Sequence, residues 1–169
     1  STKGASTFHQ AAGLWLLSTV AAGRLTGAVA GTENTSLYFM FLAPSSVYRK
    51  STTAKVATDI LHSVHLDGLI LPEAQTPPAM IKSISESEQK RRLVDKSLQK
   101  SRTQQLKVQF SGQRCWYYDE FGNQLKQIMR TGSPLNDYLG IFKTFYDGQD
   151  TWEKDTIGRG SEKVNNPYI

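Results

Sequence analysis

The sequence predicts an α/β fold in which a parallel sheet is flanked by helices, and three features carry that prediction. Leu37-Tyr38-Phe39-Met40-Phe41-Leu42 is an unbroken apolar run of strand length. Stretches with helical apolar spacing lie on either side of it, and short apolar runs go on alternating with helical stretches further along. A continuous apolar run is what a strand covered on both faces requires, and strand alternating with helix is the pattern that crossover helices impose.

In order along the chain, residues 8–22 read as a helix ending near Gly23, and residues 25–36, rich in Gly, Ala and Thr, as a loop. The strand at 37–42 is broken by Ala43, Pro44, Ser45 and Ser46. Residues 50–62 resume as a helix with Val56, Ile60 and Val64 near one face. Residues 66–71 read as a weaker second strand. Thr76 then caps a helix over about 79–85, with Pro77 in its first turn. Residues 87–105 are polar and basic, either an exposed helix or a mobile insert. Residues 106–110 and 113–118 flank Ser111-Gly112 as a hairpin. Two more helices are expected at 122–130 and 135–146, separated by Gly132 and Pro134. Residues 147–166 form a glycine-containing polar tail, and Asn166-Pro167-Tyr168-Ile169 reads as the opening of another strand. The chain starts at Ser1 without a methionine, so the sequence reads as one domain over 1–169, incomplete at the C-terminus.

A chain of 169 residues is long enough to bury a core. No apolar run approaches the ~20 residues needed to cross a bilayer. Residues 14–20 are apolar but short, lack a basic lead-in and are followed by Arg24, which argues against a signal peptide. Cys115 is the one cysteine, which excludes an internal disulfide framework and a cysteine zinc cluster; a cytoplasmic setting without membrane association is expected. The net charge of +5 is concentrated. Residues 82–107 carry eight basic against three acidic side chains, the whole excess of the chain. Lys90, Arg91, Arg92, Lys96, Lys100 and Arg102 are the candidates there for contacts to nucleic-acid phosphates. A solvated helix face is the alternative reading of the same residues.

The sharpest motif is the strand, break and helix that ends in Ala43-Pro44-Ser45-Ser46-Val47-Tyr48-Arg49-Lys50-Ser51-Thr52. In a G-x-x-x-x-G-K-[ST] phosphate loop the backbone amides wrap the phosphates, the lysine reaches the β/γ oxygens and the hydroxyl ligates Mg²⁺. Alignment on Lys50-Ser51 puts Pro44 and Arg49 where the two glycines belong. Proline removes a donor, and arginine does not readily take a positive φ. Arg49 adds a second cation, and the amides at the helix start are kept. Ser45, Ser46, Val47, Tyr48, Arg49, Lys50, Ser51 and Thr52 are therefore the candidate nucleotide-binding residues. A plain helix cap at Lys50-Ser51-Thr52 is the competing reading.

Arg114-Cys115-Trp116-Tyr117-Tyr118-Asp119-Glu120 is a strand-like stretch ending in adjacent carboxylates. Consecutive side chains at a strand end diverge, so one carboxylate can face a metal and the other the γ-phosphate. The pair can equally cap the following helix.

Together these residues resemble the P-loop ATPases of phages, plasmids and prophages, related to RecA-like replication helicases and often joined to primase modules. The resemblance rests on Ala21-Ala22-Gly23-Arg24, residues 43–52, Glu73-Ala74-Gln75-Thr76-Pro77-Pro78-Ala79-Met80, Asp119-Glu120-Phe121-Gly122, Phe145-Tyr146-Asp147-Gly148 and Asn165-Asn166-Pro167. It implies a RecA-like P-loop NTPase core that binds ATP with Mg²⁺, acts on DNA and self-associates in the full-length protein. It further implies that Lys50 contacts the β/γ-phosphates and Ser51 the metal, with Thr52 beside the α-phosphate. Asp119 would lie in the metal shell and Glu120 would be the catalytic base.

The other candidates are weaker. His62 and His65 have no acidic neighbour at metal-ligand spacing. Cys115 reads as a small core residue. Alternation puts Cys115 and Tyr117 on one face and Trp116 and Tyr118 on the other, where core packing competes with base stacking. No G-x-S-x-G elbow supports a hydrolase triad. The rival to an ATPase is a non-enzymatic nucleic-acid-binding module whose phosphate loop has decayed.

Overall fold

Helices form where the apolar spacing called for them. The computed structural model describes residues 6–22, 25, 35–44, 49–94, 112–156 and 160–169, with side chains at 86–94 and 156 left aside. Five helices occur among these residues: α1 (Ser6–Ala21), α2 (Lys50–Ser63), α3 (Pro77–Val94), α4 (Phe121–Met129) and α5 (Asp137–Tyr146). Thr76 caps α3 as expected, its Oγ1 accepting the Ala79 amide at 3.4 Å, and Pro77 is the first helical residue.

The parallel sheet is not formed. The sheet among the described residues is a two-stranded antiparallel hairpin, β1 (Thr151–Thr156) with β2 (Gly160–Asn165). This corrects the RecA-like core with a parallel sheet, and the reasons are local. Residues 37–42 form no strand or bridge among the described residues, and Leu42 is 78% exposed. The segment is held by side chains instead. Tyr38 donates to the Phe142 carbonyl of α5 at 3.1 Å, and Phe41 stacks on Phe8 of α1 at 4.9 Å. In residues 66–71 the Asp67-Gly68 pair forms a short 3₁₀ turn, Asp67–Leu69, leaving only Ile70 in a bridge.

Residues 113–118 were expected to pair with residues 106–110, which lie outside the described residues. Gln113 and Cys115 make isolated parallel bridges, to Tyr168 and Ile70 respectively. The Ile70–Cys115 bridge is held by Cys115 N–H to the Leu69 carbonyl and Leu71 N–H to the Cys115 carbonyl, both 2.8 Å, and the Gln113–Tyr168 bridge by Arg114 N–H to the Tyr168 carbonyl at 2.9 Å and Tyr168 N–H to the Gly112 carbonyl at 3.1 Å. Gly112 is required here: a Cβ at this position would lie 2.5 Å from the Asn165 carbonyl oxygen.

The hairpin occupies much of what was read as a polar tail. Its register sets Trp152 opposite Val164, and both turn toward the core while charged neighbours face out. That core joins Leu71, Met80, Ile81 and Ile84 to Ile128, Tyr138, Ile141, Phe145, Val164 and Ile169. Trp116 packs against it by stacking on Tyr138 at 5.3 Å, and Cys115 is buried. Helices α1 and α2 pack on each other. Among the described residues no helix is long and apolar enough to cross a membrane.

Candidate functional site

The start of α2 and the end of the Trp116–Tyr118 stretch meet. Ser51, in the first turn of α2, donates its hydroxyl to Asp119 Oδ1 at 2.8 Å, although the two are 68 positions apart in sequence. Two of the residues singled out from separate motifs are thus brought into direct contact. Asp119 Oδ1 also accepts the Glu120 amide at 3.0 Å. A single carboxylate oxygen therefore orients toward both the α2 terminus and the turn that follows Asp119.

Lys50 is the first residue of α2 and half-buried. The Thr53 amide already donates to the Arg49 carbonyl at 3.0 Å, and the Thr53 hydroxyl does so at 3.2 Å. Helix geometry leaves the amides of Lys50, Ser51 and Thr52 without an intrahelical acceptor, and the helix dipole adds a partial positive charge at that end. Arg49 departs from the expectation drawn for it. It sits in the left-handed region at φ 47° and ψ 41°, the conformation for which a glycine was thought necessary. For a residue with a Cβ that conformation costs roughly 1–2 kcal/mol, so the surrounding chain imposes it. Ser45, Ser46, Val47 and Tyr48 lie outside the described residues.

Glu120 is also left-handed, at φ 52°, and immediately precedes α4 without making a side-chain cap. The cap reading of the acidic pair is therefore not the geometry found at Glu120, whose side chain is exposed. Sequence reasoning missed two neighbours. Glu73 Oε1 accepts the Asp119 amide at 2.9 Å. The Tyr117 phenol is pushed up to about 12 by burial first, then by the nearby charges of Asp119 and Glu73. The signal for Glu73 lay in its position, since it follows one apolar run as Asp119 follows another.

The side chains that meet here are oxygen donors of the kind that Mg²⁺ takes. An alcohol and a carboxylate oxygen at 2.8 Å are hard donors. Among the described residues no group of three His, Cys, Asp or Glu could hold a metal by itself. Mg²⁺ is commonly bound in this way, through one or two protein oxygens with substrate phosphates and water completing its shell.

The remaining candidates fall elsewhere. His62 and His65 are exposed at the end of α2 and just beyond it. Lys90, Arg91 and Arg92 are on the backbone of α3, with side chains that are not described; Lys96, Lys100 and Arg102 lie outside the described residues. No family model, curated protein or solved structure matches the chain.

Proposed function

We propose that the chain binds Mg-ATP at the junction of α2 with the Asp119–Glu120 turn. The observation that carries this reading is the 2.8 Å contact between Ser51 Oγ and Asp119 Oδ1 at a helix start that also bears Lys50. Two unrelated stretches of sequence place the residue types of a phosphate and metal site together, and their contact is what a shared ion calls for.

In this reading the Lys50 ammonium and the first amides of α2 bind the β- and γ-phosphates. Ser51 Oγ would ligate the metal, and Asp119 would hold water of its shell. Bound magnesium supplies charge neutralisation at the phosphate oxygens. Glu120, exposed beside Asp119, is the carboxylate proposed to hold and deprotonate the attacking water. The wider assignment, to DNA replication in a mobile element, rests on the sequence resemblance alone.

A fluorescent ATP analogue titrated with and without Mg²⁺ tests the site. Binding is expected to need the metal, and Lys50→Ala to weaken it at least 100-fold, since charge-assisted bonds to phosphate contribute about 1.5–3 kcal/mol each and this lysine makes more than one. Ser51→Ala is expected to remove most of the magnesium dependence. An analogue that binds Lys50→Ala as tightly as the parent, or binds neither, overturns the proposal.

A further inference from the structure

We propose that Glu73 is the positioning residue of this site, holding the backbone of Asp119 and thereby fixing where the Asp119 carboxylate stands. The inference deepens the nucleotide reading and rests on it. Its basis is a lock that runs in both directions between two segments. The Glu73 carboxylate accepts the Asp119 amide at 2.9 Å. In return the Trp116 indole N–H is shared between the carbonyls of Pro72 and Glu73, each at 3.0 Å. Residues 72–73 and 116–119 are thus tied by two side-chain-to-backbone bonds of opposite sense.

The turn has need of such a tie. Glu120 is held at φ 52°, a conformation that a residue with a side chain does not choose unaided. If Asp119 were free to rotate, Glu120 would relax toward negative φ, and Asp119 Oδ1 would leave both Ser51 and the Glu120 amide. The Glu73 bond holds the Asp119 amide while Asp119 Oδ1 is engaged by Ser51 and the Glu120 amide.

A positioning role requires the acceptor oxygen of Glu73 and not its charge, so two substitutions separate the possibilities. Glu73→Gln keeps Oε1 and removes the charge, whereas Glu73→Ala removes both. The first readout needs no nucleotide: amide hydrogen exchange at Asp119, followed by NMR. Exchange should be as slow in Glu73→Gln as in the parent, and up to about tenfold faster in Glu73→Ala, the usual reach of one hydrogen bond.

The second readout is Mg²⁺-dependent binding of the fluorescent ATP analogue, expected to weaken about tenfold in Glu73→Ala and to be restored in Glu73→Gln. Thermal melting of both variants establishes that the fold persists. Unchanged exchange in Glu73→Ala overturns the proposal. So does equal loss of binding in the two variants, which would mean that the charge acts on the ligand directly. A parent that binds no analogue instead overturns the nucleotide reading, and the exchange data then decide the positioning claim on their own.

Discussion

Arg49 and Glu120 share an unusual property: each precedes a helix in the left-handed region, and neither makes a side-chain cap. Backbone strain of this kind persists only where neighbours impose it, and two of the four non-glycine residues with positive φ among the described residues, Arg49 and Glu120, flank the Ser51–Asp119 contact, the others being His65 and Asn166. Gly112 is a different case, in which the absence of a side chain is the requirement. With a Cβ only 2.5 Å from the Asn165 carbonyl, Gly112→Ala must displace backbone. We expect it to lose about 1–3 kcal/mol, read as a lower urea midpoint. Tyr117 gives a pH signature. Its folded pKa is raised from 10.0 to about 12, so the folded state holds the phenol proton more tightly than the unfolded chain does. The contribution is full below pH 10 and is lost as pH rises toward about 12. Urea midpoints measured across that window should fall with pH, and Tyr117→Phe should flatten part of the fall.

The helices differ in which face they bury. On α2 the expected apolar face of Val56, Ile60 and Val64 points outward, with Val64, just past its end, 55% exposed, and Thr53, Ala57, Thr58 and Leu61 are buried instead. On α1 the buried residues are Ala12, Ser18 and Thr19, and Leu17 is 67% exposed. The buried hydroxyls are all partnered: Thr19 donates to the Trp15 carbonyl at 2.9 Å and Thr58 to that of Lys55 at 2.8 Å within their own helices, whereas Ser18 reaches across to the Thr35 carbonyl at 2.6 Å. Residues 37–42 carry the other consequence. An uncharged, β-competent segment that forms no strand among the described residues is prone to pair with other chains. Met40→Lys, at a position 52% exposed, should lower concentration-dependent light scattering while leaving the melting temperature within a few degrees.

The molecule as assembled concentrates its core where α3, α4 and α5 meet the hairpin, with α1 and α2 packed on each other. The proposed site lies between these groups, since Ser51 belongs to α2 and Asp119 immediately precedes the Glu120–α4 turn. The excess of +5 resides in residues 82–107, and DNA is the partner we propose for that stretch. Binding to a short duplex should weaken steeply as salt is raised, and replacing Lys90, Arg91 and Arg92 with glutamate should flatten the slope by about 3 and cut affinity at low salt. A salt-independent affinity would exclude phosphate contacts as its source.

Helix content was legible because a 3.6-residue apolar period is a local property, and the breaks at Gly132 and Pro134 are local as well. So were the candidate residues: Lys50 and Ser51 by their place at a helix start, Asp119 and Glu120 by theirs at the end of an apolar run. The sheet was not legible. A strand is defined by its hydrogen-bonded neighbour, and the apolar composition of residues 37–42 carries no record of whether that neighbour is present. Tertiary packing alone set the orientation of α2, the left-handed backbone at Arg49, the entry of Glu73 beside Asp119 and the meeting of Ser51 with Asp119. Each depends on surfaces brought together from distant parts of the chain, which no local pattern encodes.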